Sequence, residues 1–482
     1  MADYEKLVNK LVNLPNETPW LEFKYNNYDP KMIGEDISAL ANSATLYERN
    51  CSYMLWGIDD ATHEILGTEH SLQTLKKGNE ELENWLHLHL SKNAEFEFHS
   101  VTVKNKTVGI LIVYSAAGQT VMFDKVDYIR VGSYTKPLNN YPSLLSPLWD
   151  RIRNSNFEER PAKQDLELHD ALRLIDYSAY FRALGTVEPL VPDGIAHFLL
   201  EEGILAEQDD GLYTITNLGA ILLAKKLSAY SKISRKAIRV VEYSNNNRMK
   251  ILKEQTFEQG YVSAFERLIE YIEALIPSEE IINGAVRNKI VAYPILSIRE
   301  AVANALIHQD FSISGTGPVI EIFSNRIEIT NPGTPLIDIN RIIDNPPRSR
   351  NEKLASLMRR LKMCEELGTG WDKIVIACEL QKLPAPKIYS YDESTRVTLF
   401  SEAAFSSIAL EDKLWACYLH SCIKQIDGEY LTNASLRERF GLKDTSAGSV
   451  SRLIKEAVKQ GLIKPLDPTT APRYMKYLPF WA

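Results

Sequence analysis

The first residues that could do chemistry are acids near the N-terminus. NETPWLEFKYNN carries Glu17 and Glu22 with Lys24 shortly after, and WGIDDATHEILG brings Asp59 and Asp60 at the end of an apolar run. Hard divalent cations prefer carboxylate oxygens, so two acids on a strand edge and a third on a neighbouring strand could share one Mg²⁺ or Mn²⁺. A metal held in this way activates water and neutralises a phosphodiester in its transition state. With the period of two along a strand, Lys24 shares a face with Glu22 and would touch the phosphate. Asp59 and Asp60 are adjacent, and either can be the third acid.

A second constellation lies in ILSIREAVANALIHQDFS. Glu300, Asn304 and His308 fall at i, i+4 and i+8 of a helical pattern and drift by only ~40° per step, so all three project from one side of an otherwise apolar helix. A carboxylate that polarises water, with an amide oxygen one turn later to hold Mg²⁺, is what ATP hydrolysis needs. The third group is basic. Ser449, Arg452, Lys455 and Lys459 lie along a C-terminal helical stretch, and Arg437, Arg439, Lys464, Arg473 and Lys476 could flank it, which is a nucleic-acid footprint.

These groups need elements to position them. An opening helix over Tyr4–Val12, a short strand at Leu21–Lys24, an amphipathic helix from Lys31 to Ala44 and a buried strand in SYMLWGIDD are expected first. A helix from Leu72 to Ser91 and strands at Glu95–Val103, Lys106–Val113 and Asp127–Gly132 complete a first domain of α/β or α+β class over residues 1–140. Pro142, Pro147 and Pro161 make Tyr141–Lys163 read as a linker. Two helices, a short wing and a further helix suggest a winged-helix-like connector over 164–228. From 235 to 404, strands IRVVEY, PVIEIF, RIEITN and RVTLF alternate with helical segments, the pattern of an α/β sandwich. Three capped helices and a Pro-rich wing then make a C-terminal winged helix over 408–482.

Composition bounds the function. A chain of 482 residues exceeds one core and suggests about three or four domains. A net charge of −8 argues against a polybasic protein that coats DNA. The five cysteines form no CxxC pair and are odd in number, so neither a disulfide framework nor a structural zinc site is expected. The acidic N-terminus lacks a signal-peptide core, and no uncharged apolar run approaches the ~20 residues that span a bilayer, so the expected location is the cytoplasm.

The ordered set of ExxxxEFK, a helix ending in ALANS, a hydrophobic strand, GIDD, ILG and YIRVGSYTKPL resembles the Schlafen AlbA-type domain over about Glu17 to Leu138. The resemblance implies a divalent-metal endoribonuclease site of the kind that cuts transfer or ribosomal RNA. Glu17, Glu22 and Asp60 would be its metal-binding acids and Lys24 a phosphate contact. Relatives usually have a glycine-rich turn after the helix, where this chain has TLYERNCS.

REAVANALIHQD is similar to the N-box of GHKL-type ATPases, and IEITNPGTP, RNEKLASLM and EELGTGWDKI extend that resemblance over roughly Pro294 to Phe400. It implies Glu300 as general base and Asn304 as Mg²⁺ ligand, with Gly368, Thr369 and Gly370 contacting phosphate at a helix start. His308, Asp310 and Gly333 would join them around the nucleotide. The family's second box carries an Asp that bonds the adenine amino group, whereas this strand ends Thr330, Asn331, Pro332, Gly333. Nucleotide binding is therefore expected over turnover.

Two functions are expected from these features. One is a Mg²⁺- or Mn²⁺-dependent endoribonuclease, cutting transfer RNA, regulated by ATP binding or by assembly into a homo-oligomer, and suited to antiviral defence. The alternative is an ATP-sensing, DNA-binding transcriptional regulator without nuclease activity. No GxxxxGK[ST] loop occurs, which removes a P-loop helicase.

Overall fold

In the computed structural model every residue is described except 1–3, 15–17, 50, 70–74, 155–156, 209–210, 284–285, 347 and 365–369. The chain is a mixed α/β, multidomain protein that divides into two units, Met1–Gln164 and Asp165–Ala482.

The first unit begins with α1 (Tyr4–Val12), β1 (Leu21–Lys24), α2 (Pro30–Leu46) and β2 (Cys51–Trp56). Asp29 caps α2 by accepting from the Met32 amide at 2.9 Å, and Pro30 occupies the first turn, where its missing N–H costs nothing. A small hairpin, β3 (Lys76–Lys77) and β4 (Glu80–Glu81), leads into α3 (Leu82–His89), β5 (Phe96–Val103) and β6 (Lys106–Tyr114). The main sheet runs β1-β2-β6-β5, with β1 parallel to β2, so Glu22 lies opposite Met54 and Lys24 opposite Trp56. Both faces are covered. Ile33, Ile37 and Leu40 of α2 pack on Met54, Trp56 and Leu111, while Val8 and Leu11 of α1 pack with Leu21, Phe23 and Leu55. Burial on both sides explains why β2 reads as a continuous apolar run rather than an alternating one. Each such aliphatic side chain contributes about 1.5–3 kcal/mol when fully buried.

A second, three-stranded sheet follows, formed by β7 (Met122–Phe123), β8 (Val126–Val131) and β9 (Tyr134–Pro137). Two expectations need correction here. The helix expected from Leu72 is observed only over Leu82–His89; 72–74 lie outside the described residues, and the β3–β4 hairpin occupies the segment between. The expected linker contains α4 (Pro142–Asn154), whose Leu148 and Ile152 bury against Leu46, Ile129 and Leu138. Its prolines misled the reading: Pro142 suits the first turn of α4, Pro147 is tolerated inside it, and Pro161 opens the following strand. β10 (Pro161–Leu166) comes next.

The second unit opens with α5 (Leu168–Leu174), α6 (Tyr177–Leu184), α7 (Pro192–Glu201), the hairpin β11 (Leu205–Glu207) and β12 (Tyr213–Thr216), and α8 (Asn217–Leu223). A six-stranded sheet then forms in the order β14-β13-β17-β18-β20-β19. Its strands are β13 (Ile238–Tyr243), β14 (Ile251–Phe257), β17 (Val319–Ile322), β18 (Arg326–Pro332), β19 (Lys387–Ser390) and β20 (Ser394–Phe400), and a hairpin of β15 (Ser278–Asn283) and β16 (Val286–Val291) stands apart. The helices of this part are α9 (Tyr261–Leu275), α10 (Ile295–Ile307), α11 (Glu352–Arg360) and α12 (Gly370–Leu380), and α10 packs on β18, α9 and α12. The chain closes with α13 (Leu410–Ile426), α14 (Asn433–Arg439), α15 (Ala447–Lys459) and a wing of β21 (Ile463–Pro465) and β22 (Tyr477–Pro479) around a core of Leu414, Leu436, Val450 and Ile454. No helix among the described residues is long and apolar enough to cross a membrane.

Asn42, in the ALANS stretch, ties α2 to the smaller sheet. Its amide nitrogen donates to the carbonyls of Val121 (2.9 Å) and Tyr128 (2.8 Å), and its oxygen accepts from the Val121 amide (2.9 Å), the two bonds to Val121 being out of solvent. Asn42→Ala leaves buried backbone groups without partners, so thermal or urea unfolding should show a loss on the order of 2–3 kcal/mol.

Candidate functional site

Glu22 and Lys24 leave β1 on one face, as period two requires, and their side chains are in direct contact. Glu22 is buried, and its second oxygen meets the guanidinium of Arg130 from β8, which is only 2% exposed. Arg130 Nη1 also donates to Thr135 Oγ1 of β9 at 3.3 Å and stands 3.9 Å from Asp36 Oδ1 of α2. Thr135 donates to the same Asp36 oxygen. Two cations and two carboxylates thus form a charge-balanced floor under a cleft of about 240 Å³, whose walls include Met32, Glu35, Ser133 and Tyr134. Burial pushes the Asp36 carboxyl above its ordinary range, against the Thr135 hydrogen bond. Burial opposes the Lys24 ammonium, but Glu22, then Asp36 and Asp60, outweigh it and raise its pKa.

The other acids stand differently. Glu17 lies outside the described residues. Asp59 is committed to its own turn, accepting from Ala61 N (3.1 Å), Thr62 N (2.8 Å) and Thr62 Oγ1 (2.9 Å), and the Thr62 bonds above all hold its carboxyl below the usual range. Asp60 is exposed and close enough to Lys24 to act on its charge. Among the described residues no three acidic, His or Cys side chains gather closely enough to hold a metal. Asp36, Arg130 and Thr135 were missed by sequence reasoning. The signal was an arginine inside the alternating strand YIRV and an acid on the inner face of an amphipathic helix.

In the second unit, Glu300 and Asn304 converge on the first residue of α12. A Cβ on Gly370 would stand 2.7 Å from Glu300 Oε2 and 3.3 Å from Asn304 Nδ2. His308 is the C-cap of α10, which ends at Ile307; its carbonyl accepts from Arg350 Nη1 at 3.1 Å. Gly333 (φ +104°) packs against Asp310 and Arg350, a left-handed position that a side chain would strain. Arg350 Nη2 also reaches Thr334 O at 2.9 Å, and buried Asn351 donates to the carbonyls of Ile307 (2.7 Å) and Gln309 (2.8 Å). Asp310 accepts from the Ser312 amide at 2.9 Å. Gly368 and Thr369 lie outside the described residues. Asn331, near the end of β18, is buried and donates to Pro332 O at 3.1 Å.

Of the C-terminal cations, Arg452, Lys455 and Lys459 are exposed along α15, and Arg473 is exposed beside Tyr474. Two flanking arginines are not available. Arg437 pairs with Asp444, and Arg439 is buried, donating to Leu383 O at 2.9 Å.

A family model described as "Schlafen, AlbA_2" matches residues 17–139, and one described as "Putative ATP-dependent DNA helicase recG C-terminal" matches residues 315–399. The chain carries a Schlafen AlbA_2 domain and a recG-type C-terminal domain. The Schlafen match takes in β1, α2, β8 and β9, and so the whole floor of the 240 Å³ cleft. The recG-type match begins after α10, so Glu300 and Asn304 precede it, while Gly333 and Gly370 fall within it. Among solved structures, that of the DIP2311 protein from Corynebacterium diphtheriae is similar at 16% identity, covering 98% of this chain and 96% of that one, with a TM-score of 0.43. No curated protein matches.

Gly370→Ala would drive a methyl group onto the Glu300 carboxylate and displace it with Asn304. If these residues face a nucleotide, calorimetry should show ATP affinity falling roughly tenfold, about 1.4 kcal/mol, while Gly448→Ala, at a site with open space, leaves it unchanged.

Proposed function

We infer that the protein is a nucleic-acid-directed effector whose Schlafen-type domain cuts RNA, transfer RNA first, with the second unit controlling it through ATP binding or assembly. The two family matches support nucleic acid as the partner. The observation that carries the reading is Glu22: a buried carboxylate at the bottom of a cleft, fixed by buried Arg130, beside a half-buried lysine. Glu17, Glu22 and Asp60 would hold Mg²⁺ or Mn²⁺, which supplies charge neutralisation and an activated water when bound. Arg130 orients Glu22 from behind. Lys24 faces the cleft paired with Glu22 and would have to exchange that pair to meet a phosphate. The reading requires Glu17 to complete the acid group.

Asp60 makes the cleaner test, because Glu22→Ala would leave Arg130 buried without its partner, at a cost of about 3–5 kcal/mol. With purified protein, total transfer RNA and Mn²⁺ or Mg²⁺, Asp60→Ala and Glu22→Gln should abolish cleavage, EDTA should mimic them, and RNA binding should survive. Asp59→Ala should be milder, since that side chain serves its turn. A wild-type protein that cuts no RNA under any metal and ATP condition ends the nuclease reading.

A regulator without nuclease activity is the second reading, favoured by one observation: both Glu22 oxygens are already answered by cations. There, the exposed cations of α15 would grip DNA. Replacing Arg452, Lys455 and Lys459 by Ala should flatten the salt dependence of DNA binding by up to ~0.9 per lost phosphate contact, and an unaltered slope would make this winged helix a protein-interaction module.

A further inference from the structure

The geometry points to a slot for one unpaired RNA base in the first unit, between Tyr134 and Met32 at the mouth of the Glu22 cleft. Tyr134 opens β9 directly after the turn through Gly132 and Ser133, and it is 67% exposed. Among the described residues its hydroxyl has no hydrogen-bond partner. Met32, in the first turn of α2, lines the same cleft and is 40% exposed. A flat aromatic face and an adaptable thioether are thus held in solvent across one opening, where neither contributes to the core.

Charge defines what fits between them. The cleft floor is already balanced, with Glu22 held by Arg130 and Lys24 and Asp36 held by Thr135 and Arg130. A deeply buried polyanion would find no spare cation there. An uncommitted cation stands beside Tyr134: Lys136 is exposed, has no ion pair among the described residues, and its Nζ lies 5.6 Å from the Tyr134 ring centroid. The arrangement suits a ligand with a flat, uncharged π-system that enters and an anionic part that stays outside. One nucleotide of a strand has that form, with its base on Tyr134 and its phosphate toward Lys136. The cleft, about 240 Å³, is below the ~300–1,000 Å³ of common small-molecule pockets, a scale that suits one base rather than a larger ligand. A base stacked in a duplex presents no free face, and single-stranded segments are where aromatic side chains find one.

This slot rests on the reading of the first unit as RNA-directed, and its test is binding rather than cleavage. Fluorescence anisotropy of the full chain with a labelled single-stranded RNA and with the duplex of the same sequence should show preference for the single strand. Tyr134→Ala should weaken single-strand binding by about 5- to 150-fold, the range for one lost stacking contact. Tyr134→Phe should bind within about twofold of wild type, since the ring remains. Because Tyr134 is exposed, both variants should melt with the wild type. Equal affinity for Tyr134→Ala and wild type, a Phe variant as weak as the Ala variant, equal affinity for duplex, or no binding of either RNA would each overturn the slot. If the wild type binds through Tyr134 but never cuts RNA, the slot stands and the nuclease reading falls; if it cuts RNA with no dependence on Tyr134, the reverse holds.

Discussion

An ionised carboxylate taken out of water costs several kcal/mol unless a cation and hydrogen bonds meet it, and both units are built around that constraint. In the first unit, Glu22 can lie in the sheet only because Arg130 arrives from the second sheet and Lys24 from its own strand. Asp36 can face inward from α2 because Thr135 and Arg130 receive it. In the second unit, buried Glu321 and Glu328 on β17 and β18 are bridged by Arg248, at 2.6–2.7 Å, with Arg326 on the other side of Glu328 at 2.6 Å. Burial pushes the Glu321 carboxyl up, but Arg248 outweighs it and holds it below the usual range. The pairs of Glu22 with Arg130 and of Arg248 with Glu321 and Glu328 join segments distant in the chain, so they tie those elements together as well as satisfying charge.

That constraint also separates what was legible in the sequence from what was not. The helices Tyr4–Val12 and Pro30–Leu46 could be read because burial writes a period into their residues, and the four sheet strands IRVVEY, PVIEIF, RIEITN and RVTLF because they are β-branched or aromatic runs. β14 has no such period: it is an edge strand, exposed from Ile251 to Thr256, and nothing in its apolar spacing marks it. Glu22 and Lys24 could be placed on one face from strand geometry alone. Their partner Arg130 is more than a hundred residues away, and only the fold brings it to Glu22. The basic C-terminal set illustrates the opposite error. Arg437 and Arg439 counted as available cations when only their type was known, yet one is spent on Asp444 and the other sits in the core. Residue type shows what a side chain can do; burial decides which of those things remain open to it.

The same reasoning makes α12 more than a spacer. Its first residue, Gly370, is the point on which Glu300 and Asn304 converge, and it can be approached so closely only because it has no side chain. Near its other end, Glu379 accepts from or shares a proton with His420 Nδ1 of α13 at 2.9 Å, and Arg439 Nε of α14 stands 3.6 Å away. Eleven residues of helix, about 16 Å, separate these two ends. His420 and Arg439 are both buried, so the Glu379 end cannot slide without parting charges that have no water to turn to. α12 therefore meets Glu300 and Asn304 at its first residue and α13 and α14 near its other end.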